Sequence, residues 1–129
     1  MAEPTVALEG GGQSPIQVGL DVFTPLADAW GLSTDEQMRL LGSPPRSTFF
    51  KWKKDGGALP RDTVERISHL FSIWKSLEIV FADPTRSEQW LKRPNDFFGG
   101  RSALEFMLAD GNFSDIVLVR QYLDAQRGG

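Results

Sequence analysis

The residue types that most often carry out chemistry in proteins are scarce in this chain. Its 129 residues include one histidine, His69, and no cysteine, so the chain alone cannot supply a thiolate nucleophile or the usual zinc site of Cys and His ligands. A histidine base needs a nucleophile and an orienting group beside it, and no spacing in the sequence supplies either. We expect His69 to be a solvated residue of a long helix, and the chain to hold no catalytic, cofactor or metal site.

A glycine-rich segment is the second place where chemistry could occur. Gly99, Gly100, Arg101 and Ser102 precede a predicted helix, and backbone N–H groups at a helix start can hold a phosphate. The segment lacks the lysine of a Walker motif and the glycine spacing of a dinucleotide-binding fold. A plain loop with a helix cap is therefore the favoured interpretation, and the sequence predicts a protein that is not an enzyme.

Charge is distributed unevenly along the chain. The formal net charge is -3, from 14 basic and 17 acidic side chains. Residues 1–38 hold six acidic and no basic side chains, residues 39–75 hold eight basic and three acidic ones, and residues 76–129 hold six basic and eight acidic ones. A basic block in an otherwise acidic protein is compatible with nucleic-acid binding at that block. It is equally compatible with a solvated basic surface.

The N-terminal residues have none of the features of an export signal. Residues 1–19 are rich in glycine, contain no basic side chain and hold few large apolar groups, so they predict a flexible tail. No segment approaches the roughly 18 apolar residues of a membrane span. With no cysteine available for disulfides, we expect a cytoplasmic protein that does not associate with a membrane.

Beyond the tail, apolar residues recur at helical spacing and predict an all-α fold. Thr24 before Pro25 indicates one helix start, and Ser33 with Glu36 forms a capping box at the next. No segment alternates apolar and polar residues over the length of a strand. The predicted helices cover about residues 25–30, 33–41, 45–54, 60–82, 84–91, 102–109 and 113–125.

Residues 33–54 fit the helix-turn-helix pattern, with two short helices separated by a turn that contains Gly42. At 100° per residue, Phe49 and Trp52 share the side of the second helix that can pack against its neighbours. The other side combines cations with a small polar residue near the helix N-terminus, a mixture that suits docking in the major groove. The residues that we predict to contact DNA are Arg46, Ser47, Thr48, Phe50, Lys51 and Lys54.

The sequence leaves other interpretations of this helix open. An ordinary surface helix with a basic outer side has the same pattern, because the helix-turn-helix signature is unspecific. Phe50 on the outer side favours DNA over a solvated face, although an exposed aromatic side chain could also contact another subunit. If the helix reads operator DNA, sequence preference calls for a homodimer whose recognition helices lie roughly 34 Å apart.

The C-terminal part carries a pattern that is similar to a known family. In order along the chain it contains Trp90-Leu91, Pro94-Asn95, Gly100 before a short helix with Leu104, an Asp110-Gly111 turn and a last helix ending in glycine. This pattern resembles the toxin-binding domain of the Xre/MbcA/ParS antitoxin family, whose members also carry a divergent Xre-like helix-turn-helix upstream. The resemblance covers about residues 21–129 and is most specific over residues 90–111.

The resemblance implies a type II antitoxin whose partner is a toxin of the RES-domain class, an enzyme that consumes NAD or transfers ADP-ribose from it. In the family, the C-terminal domain and its terminal segment occlude the toxin's active site, and the helix-turn-helix represses the shared operon. A glycine-ended terminus is slim enough to enter a cleft, although chain ends commonly fray. The contact or shaping positions that the resemblance implies are Asn95, Phe98, Gly100, Arg101, Tyr122, Arg127, Gly128 and Gly129.

Three parts of the chain are therefore expected. Residues 1–19 are a flexible tail, residues 20–82 are a helix-turn-helix module ending in a long connecting helix, and residues 83–129 are a small helical toxin-binding module. Two other functions fit the same residues: a stand-alone helix-turn-helix regulator with no toxin, and an interaction adaptor that has lost DNA binding.

Overall fold

The computed structural model describes residues 15–56 and 59–128, with side chains from Leu20 onward. This part of the chain is all-α, as predicted, and none of its helices is long and apolar enough to cross a membrane. A 3-10 turn, Asp96–Phe98, lies between the fifth and sixth helices. The helices are α1 (Pro15–Trp30), α2 (Thr34–Leu40), α3 (Arg46–Asp55), α4 (Arg61–Val80), α5 (Pro84–Lys92), α6 (Ala103–Asp110) and α7 (Phe113–Gln126).

Helix α1 begins earlier than the sequence predicts. Residues 15–19, expected to belong to the tail, are helical, while residues 1–14 lie outside the described part. Pro25, expected at the first helical position after a Thr24 cap, lies inside α1. An internal proline costs about 3 kcal/mol, but each buried apolar side chain of the helix returns roughly 1.5–3 kcal/mol. The buried apolar residues of α1 are Phe23, Leu26, Ala27 and Trp30.

A side-chain capping box fixes the start of α2, as predicted. Ser33 Oγ accepts a hydrogen bond from the backbone N–H of Glu36 at 3.1 Å, and the Glu36 carboxylate accepts one from the Ser33 N–H at 2.8 Å. Gly42 follows α2 with a φ of 98°, a conformation that glycine adopts without strain. This capped helix and its tight turn determine how α3 leaves the body of the protein.

Helix α4 lies at the centre of the fold. It packs against α1 and against α7, and one hydrophobic core extends from Phe23 in α1 to Leu123 in α7. The predicted long helix is confirmed, and neighbouring helices cover it on two sides. Its buried apolar residues are Ile67, Leu70, Ile73 and Leu77.

Two arginines join the helix-turn-helix to the C-terminal helices. Arg39 Nε, on α2, donates to the carbonyl of Leu108 at 2.8 Å. Arg66 is only 8% exposed, and its Nη1 donates to the carbonyl of Gly111 at 2.9 Å while its Nε lies 2.7 Å from Asp62 Oδ2. Both acceptors lie at the C-terminal end of α6, where a positive charge also complements the helix dipole.

Candidate functional site

His69 is packed between two helices, which corrects the expectation of a solvated side chain. Its Nδ1 lies 3.0 Å from Arg120 Nη1 on α7, and its ring meets the ring of Phe113 edge to face, with centroids 5.4 Å apart. Partial burial, and secondly the Arg120 charge, lower the pKa of His69 below its usual 6.5. Because a guanidinium only donates, His69 Nδ1 accepts this hydrogen bond, which is a structural contact between α4 and α7.

The glycine-rich segment before α6 is a loop with a helix cap, as favoured from the sequence. Ser102 Oγ accepts from the Glu105 N–H at 3.0 Å, and Glu105 Oε1 accepts from the Ser102 N–H at 2.9 Å. These reciprocal bonds already use two of the donors that a phosphate at a helix start would need. Within residues 15–56 and 59–128, no group of three acidic or histidine side chains is arranged to hold a metal ion.

Helix α3 has one buried side and one exposed side. Phe49 and Trp52 are buried, as predicted from their spacing. Thr48 is half-buried and lies four residues before Trp52, so it stands at the edge of the buried side. The exposed side, which we call the basic face, carries Arg46, Ser47, Phe50, Lys51 and Lys54. Five of the six residues expected to contact DNA thus share one accessible surface.

Arg46, at the N-terminus of α3, already has two neighbours. Its Nη1 lies 3.3 Å from Asp35 Oδ1 on α2, and its guanidinium carbon lies 5.3 Å from the centroid of the Phe50 ring. Both partners of the ion pair are largely exposed, and exposed pairs contribute less than about 1 kcal/mol. Arg46 can therefore exchange Asp35 for another anion at little cost.

The C-terminal helices hold a cluster of aromatic rings. Tyr122 on α7 stacks on Trp90 of α5, with ring centroids 6.1 Å apart and planes 21° apart. Its ring also lies 4.5 Å from that of Phe97 and 5.5 Å from that of Phe98, centroid to centroid. We call Trp90, Phe97 and Tyr122, which retain solvent exposure, the aromatic patch. Stacked rings that support one another present a rigid apolar surface.

The loop before α6 holds the patch in place. Asn95 Oδ1 accepts from the Phe97 N–H at 2.9 Å, and the Asn95 backbone N–H donates to the carbonyl of Arg101 at 3.1 Å. Gly100 has a φ of 86° and open space where a Cβ would lie. Asn95 and Gly100 therefore shape the loop, whereas exposed Arg101 lies at its rim with its guanidinium carbon 5.3 Å from the Phe106 ring centroid.

Phe98 lies in the core, so of the two roles predicted for it, contact or shaping, its burial fits the shaping role. It is 2% exposed and sits below Phe97, which is 54% exposed. Consecutive side chains in a 3-10 turn point about 120° apart, so the two adjacent phenylalanines cannot point into the core in the same direction. The sequence contained the pair but not the orientation. Phe97 and Trp90 were consequently missed as candidate contact residues, and of the two ring positions predicted only Tyr122 lies in the aromatic patch.

The chain end lies beside α4. Arg127 is exposed along its length, but its Nη1 donates to the hydroxyl of buried Ser76 at 3.2 Å. Gly128 follows with a φ of 84°, and Gly129 lies outside the described residues. Arg127 and Gly128 thus belong to a surface at the C-terminal ends of α4 and α7, separate from the ring contacts around Tyr122.

Comparisons with known proteins match nearly all of this structure. Residues 17–72 match the family model of the antitoxin Xre-like helix-turn-helix domain, and residues 76–129 match that of the antitoxin Xre/MbcA/ParS C-terminal toxin-binding domain. The uncharacterized protein y4oB of Sinorhizobium fredii is 63% identical over 110 residues, which cover 85% of this chain and 84% of that protein. The basic face lies in the first matched region and the aromatic patch in the second.

Proposed function

Because this chain belongs to the Xre/MbcA/ParS family of antitoxins, we propose that it blocks a RES-domain toxin and represses its own operon through the basic face. The family assignment confirms the resemblance noted in the sequence and makes the protein the antitoxin of a toxin–antitoxin system with a helix-turn-helix domain. One observation carries the proposal: each matched region presents a distinct set of side chains to solvent, cations around Phe50 in the first and aromatic rings in the second. The cationic basic face suits DNA, whereas the apolar aromatic patch suits a cleft in a protein.

The basic face supports operator binding. Along α3, Arg46 at the start, Lys51 in the middle and Lys54 near the end are all exposed. Phosphates on either side of the major groove can pair with them. Ser47 lies near the helix N-terminus, the part of a recognition helix that approaches base edges. We propose that a homodimer places two such helices on one operator, about one turn of DNA apart.

The aromatic patch supports toxin binding. Aromatic side chains in well-packed surroundings contribute much of the binding energy of protein interfaces, and the ring of Tyr122 contacts those of both Phe97 and Trp90. Leu118, also exposed, precedes Tyr122 by four residues and so extends the apolar surface along α7. Arg101 at the rim provides a cation for acidic groups around the toxin's cleft.

Rescue from the toxin tests this function. Expression of the adjacent gene alone should stop growth, and co-expression of the full chain should restore growth and yield a complex that co-purifies. Phe97→Ala should weaken the complex by at least about thirty-fold, the effect expected of an interface hot spot. Phe50→Ala is the matched control, because Phe50 is also an exposed phenylalanine but lies on α3, outside the aromatic patch. Failure of the wild-type chain to rescue growth would refute the toxin assignment.

Two truncations test the terminal segment. A chain cut after Asp124 loses Arg127 and its bond to Ser76, whereas a chain cut after Arg127 loses only the final glycines. If the terminal residues enter the toxin's active site, both cuts should weaken neutralisation, and neither should change operator binding. Full rescue by both truncated chains would refute a role of the terminal residues in neutralisation.

A further inference from the structure

Phe50 occupies the middle of the basic face. At 100° per residue, Arg46 lies 40° to one side of it, and Lys54, Ser47 and Lys51 follow within 100° on the other. Its side chain is 44% exposed, although a phenylalanine with no partner would ordinarily be buried. The operator-binding function proposed above accounts for the cations but leaves this ring without a role.

The ring is held in position from two sides. Its centroid lies 5.3 Å from that of buried Phe49, with an interplanar angle of 67°, an edge-to-face contact that anchors it to the core side of α3. The guanidinium carbon of Arg46 lies 5.3 Å from its centroid. A side chain already ordered in the free protein loses little entropy on binding, so Phe50 is suited to recognise a small, fixed apolar group.

The surrounding charge defines what that group must be. Arg46, Lys51, Lys53 and Lys54 are all exposed on α3, so a second copy of this helix would be repelled from the ring. The partner must be apolar at one point and negatively charged on both sides of it. In the major groove of DNA, the 5-methyl group of thymine lies between two rows of phosphates and is the apolar feature at the base edges.

We propose that Phe50 reads a thymine 5-methyl group in each operator half-site. This inference rests on the proposed operator binding and deepens it by assigning one base contact to one side chain. Arg46, over the same ring, is then placed beside the adjacent base pair or phosphate. The thymine preference arises from burial of the methyl group against the ring and involves no hydrogen bond.

The test removes the methyl group from the DNA. Duplexes of random sequence, about 20 base pairs long, are selected for binding to the full-length protein, and each thymine of the selected site is then replaced singly by deoxyuridine. Only the methyl group is lost in this replacement. One position in each half-site should weaken wild-type binding by about four-fold, the effect of one buried carbon.

The same duplexes bound to Phe50→Ala assign the contact. Deoxyuridine at that position should leave the affinity of Phe50→Ala unchanged, whereas Phe50→Leu, which keeps an apolar side chain, should retain part of the preference. A persistent deoxyuridine effect in Phe50→Ala, or no effect in the wild-type protein, overturns the proposal even if the protein binds its site well. A loss of self-association in Phe50→Ala with an unchanged deoxyuridine effect identifies Phe50 as a subunit contact and also overturns it.

Failure of the underlying function has a different signature. If the wild-type protein enriches no sequence and also fails to bind the DNA upstream of its own gene, operator recognition itself is refuted, and the thymine contact falls with it. Phe50→Ala should neutralise the toxin as well as the wild type does, which verifies that the variant is folded.

Discussion

The basic face and the aromatic patch are built in opposite ways. The basic face comes from one ten-residue helix, and its side chains alternate with buried Phe49 and Trp52. The aromatic patch combines Trp90, Phe97 and Tyr122 from three separate elements. A surface from one helix can change a side chain without disturbing its neighbours, whereas rings stacked across elements depend on one another. Operator preference should therefore be easier to alter by single substitutions than toxin preference.

The largest effect is expected beneath the aromatic patch. Phe98→Ala should lower the free energy of unfolding by about 3–5 kcal/mol, because it leaves a cavity below the rings. Phe97→Ala, one residue earlier and half exposed, should cost about 1 kcal/mol or less. Urea denaturation of the two variants measures the difference. Equal losses would mean that the two phenylalanines share the same environment, contrary to their orientations.

The second-largest effect is expected for Arg66, which joins the helix-turn-helix to the C-terminal helices. Arg66→Ala removes the donor to the buried carbonyl of Leu40 and to the partly buried carbonyl of Gly111, which should cost about 2 kcal/mol. Arg61→Ala is the control, because Arg61 forms an ion pair of the same spacing with Glu65 but is exposed, and should cost less than about 0.5 kcal/mol. If both variants unfold at the same urea concentration, Arg66 does not stabilise the junction.

Binding at the basic face and binding at the aromatic patch should differ in their dependence on salt concentration. In Arg46→Ala/Lys51→Ala, the slope of log affinity for the operator against log salt should fall by about 2, because two phosphate contacts are lost. Lys92→Ala, an exposed cation of α5, should leave the slope unchanged. Toxin binding through the aromatic patch should respond weakly to salt. Operator titrations by fluorescence anisotropy from 50 to 300 mM salt measure these slopes, and an unchanged slope in the double variant would place the phosphate contacts elsewhere.

The smallest effect concerns pH. Because the folded state lowers the pKa of His69 below 6.5, the unfolded chain binds a proton more readily, and the free energy of unfolding should decrease as pH falls through 6.5 towards the lowered value. His69→Gln keeps an acceptor for Arg120 but cannot titrate, so its stability should fall less between pH 7 and pH 5. If urea denaturation shows that both proteins lose the same free energy of unfolding between pH 7 and pH 5, the lowered pKa is contradicted.

The sequence predicted those features that depend on nearby residues. Ser33 and Glu36 are three residues apart, and their capping box marks the start of α2 whatever the rest of the chain does. The helix start predicted at Pro25 was wrong, because the packing of α1 on α4 outweighs the backbone hydrogen bond that the proline removes. His69 was misplaced for a related reason: its partners Arg120 and Phe113 come from a helix about fifty residues later.

The aromatic patch could not be predicted from the sequence either, because its residues are brought together only by the tertiary fold. Tyr122 and Phe97 are far apart in sequence, and only the packing of α7 against the loop before α6 brings their rings together. By contrast, five of the six residues of the predicted DNA contact share one face, because a single helix with two buried aromatic positions already determines which side remains exposed. Sites within one element are predictable from spacing, whereas sites between elements require the tertiary fold.

The arginines that cross from α2 and α4 to the end of α6 also limit how such antitoxins can be recombined. A chimera that joins the helix-turn-helix half of this antitoxin to the C-terminal half of another would preserve Arg39 and Arg66 but meet a foreign turn in place of Leu108 and Gly111. The backbone carbonyls that replace those of Leu108 and Gly111 must then lie at the same positions. The identity of the side chains there matters less than the backbone geometry. Engineers who exchange specificities between these proteins should graft α3 or the loop before α6, and leave the junction intact.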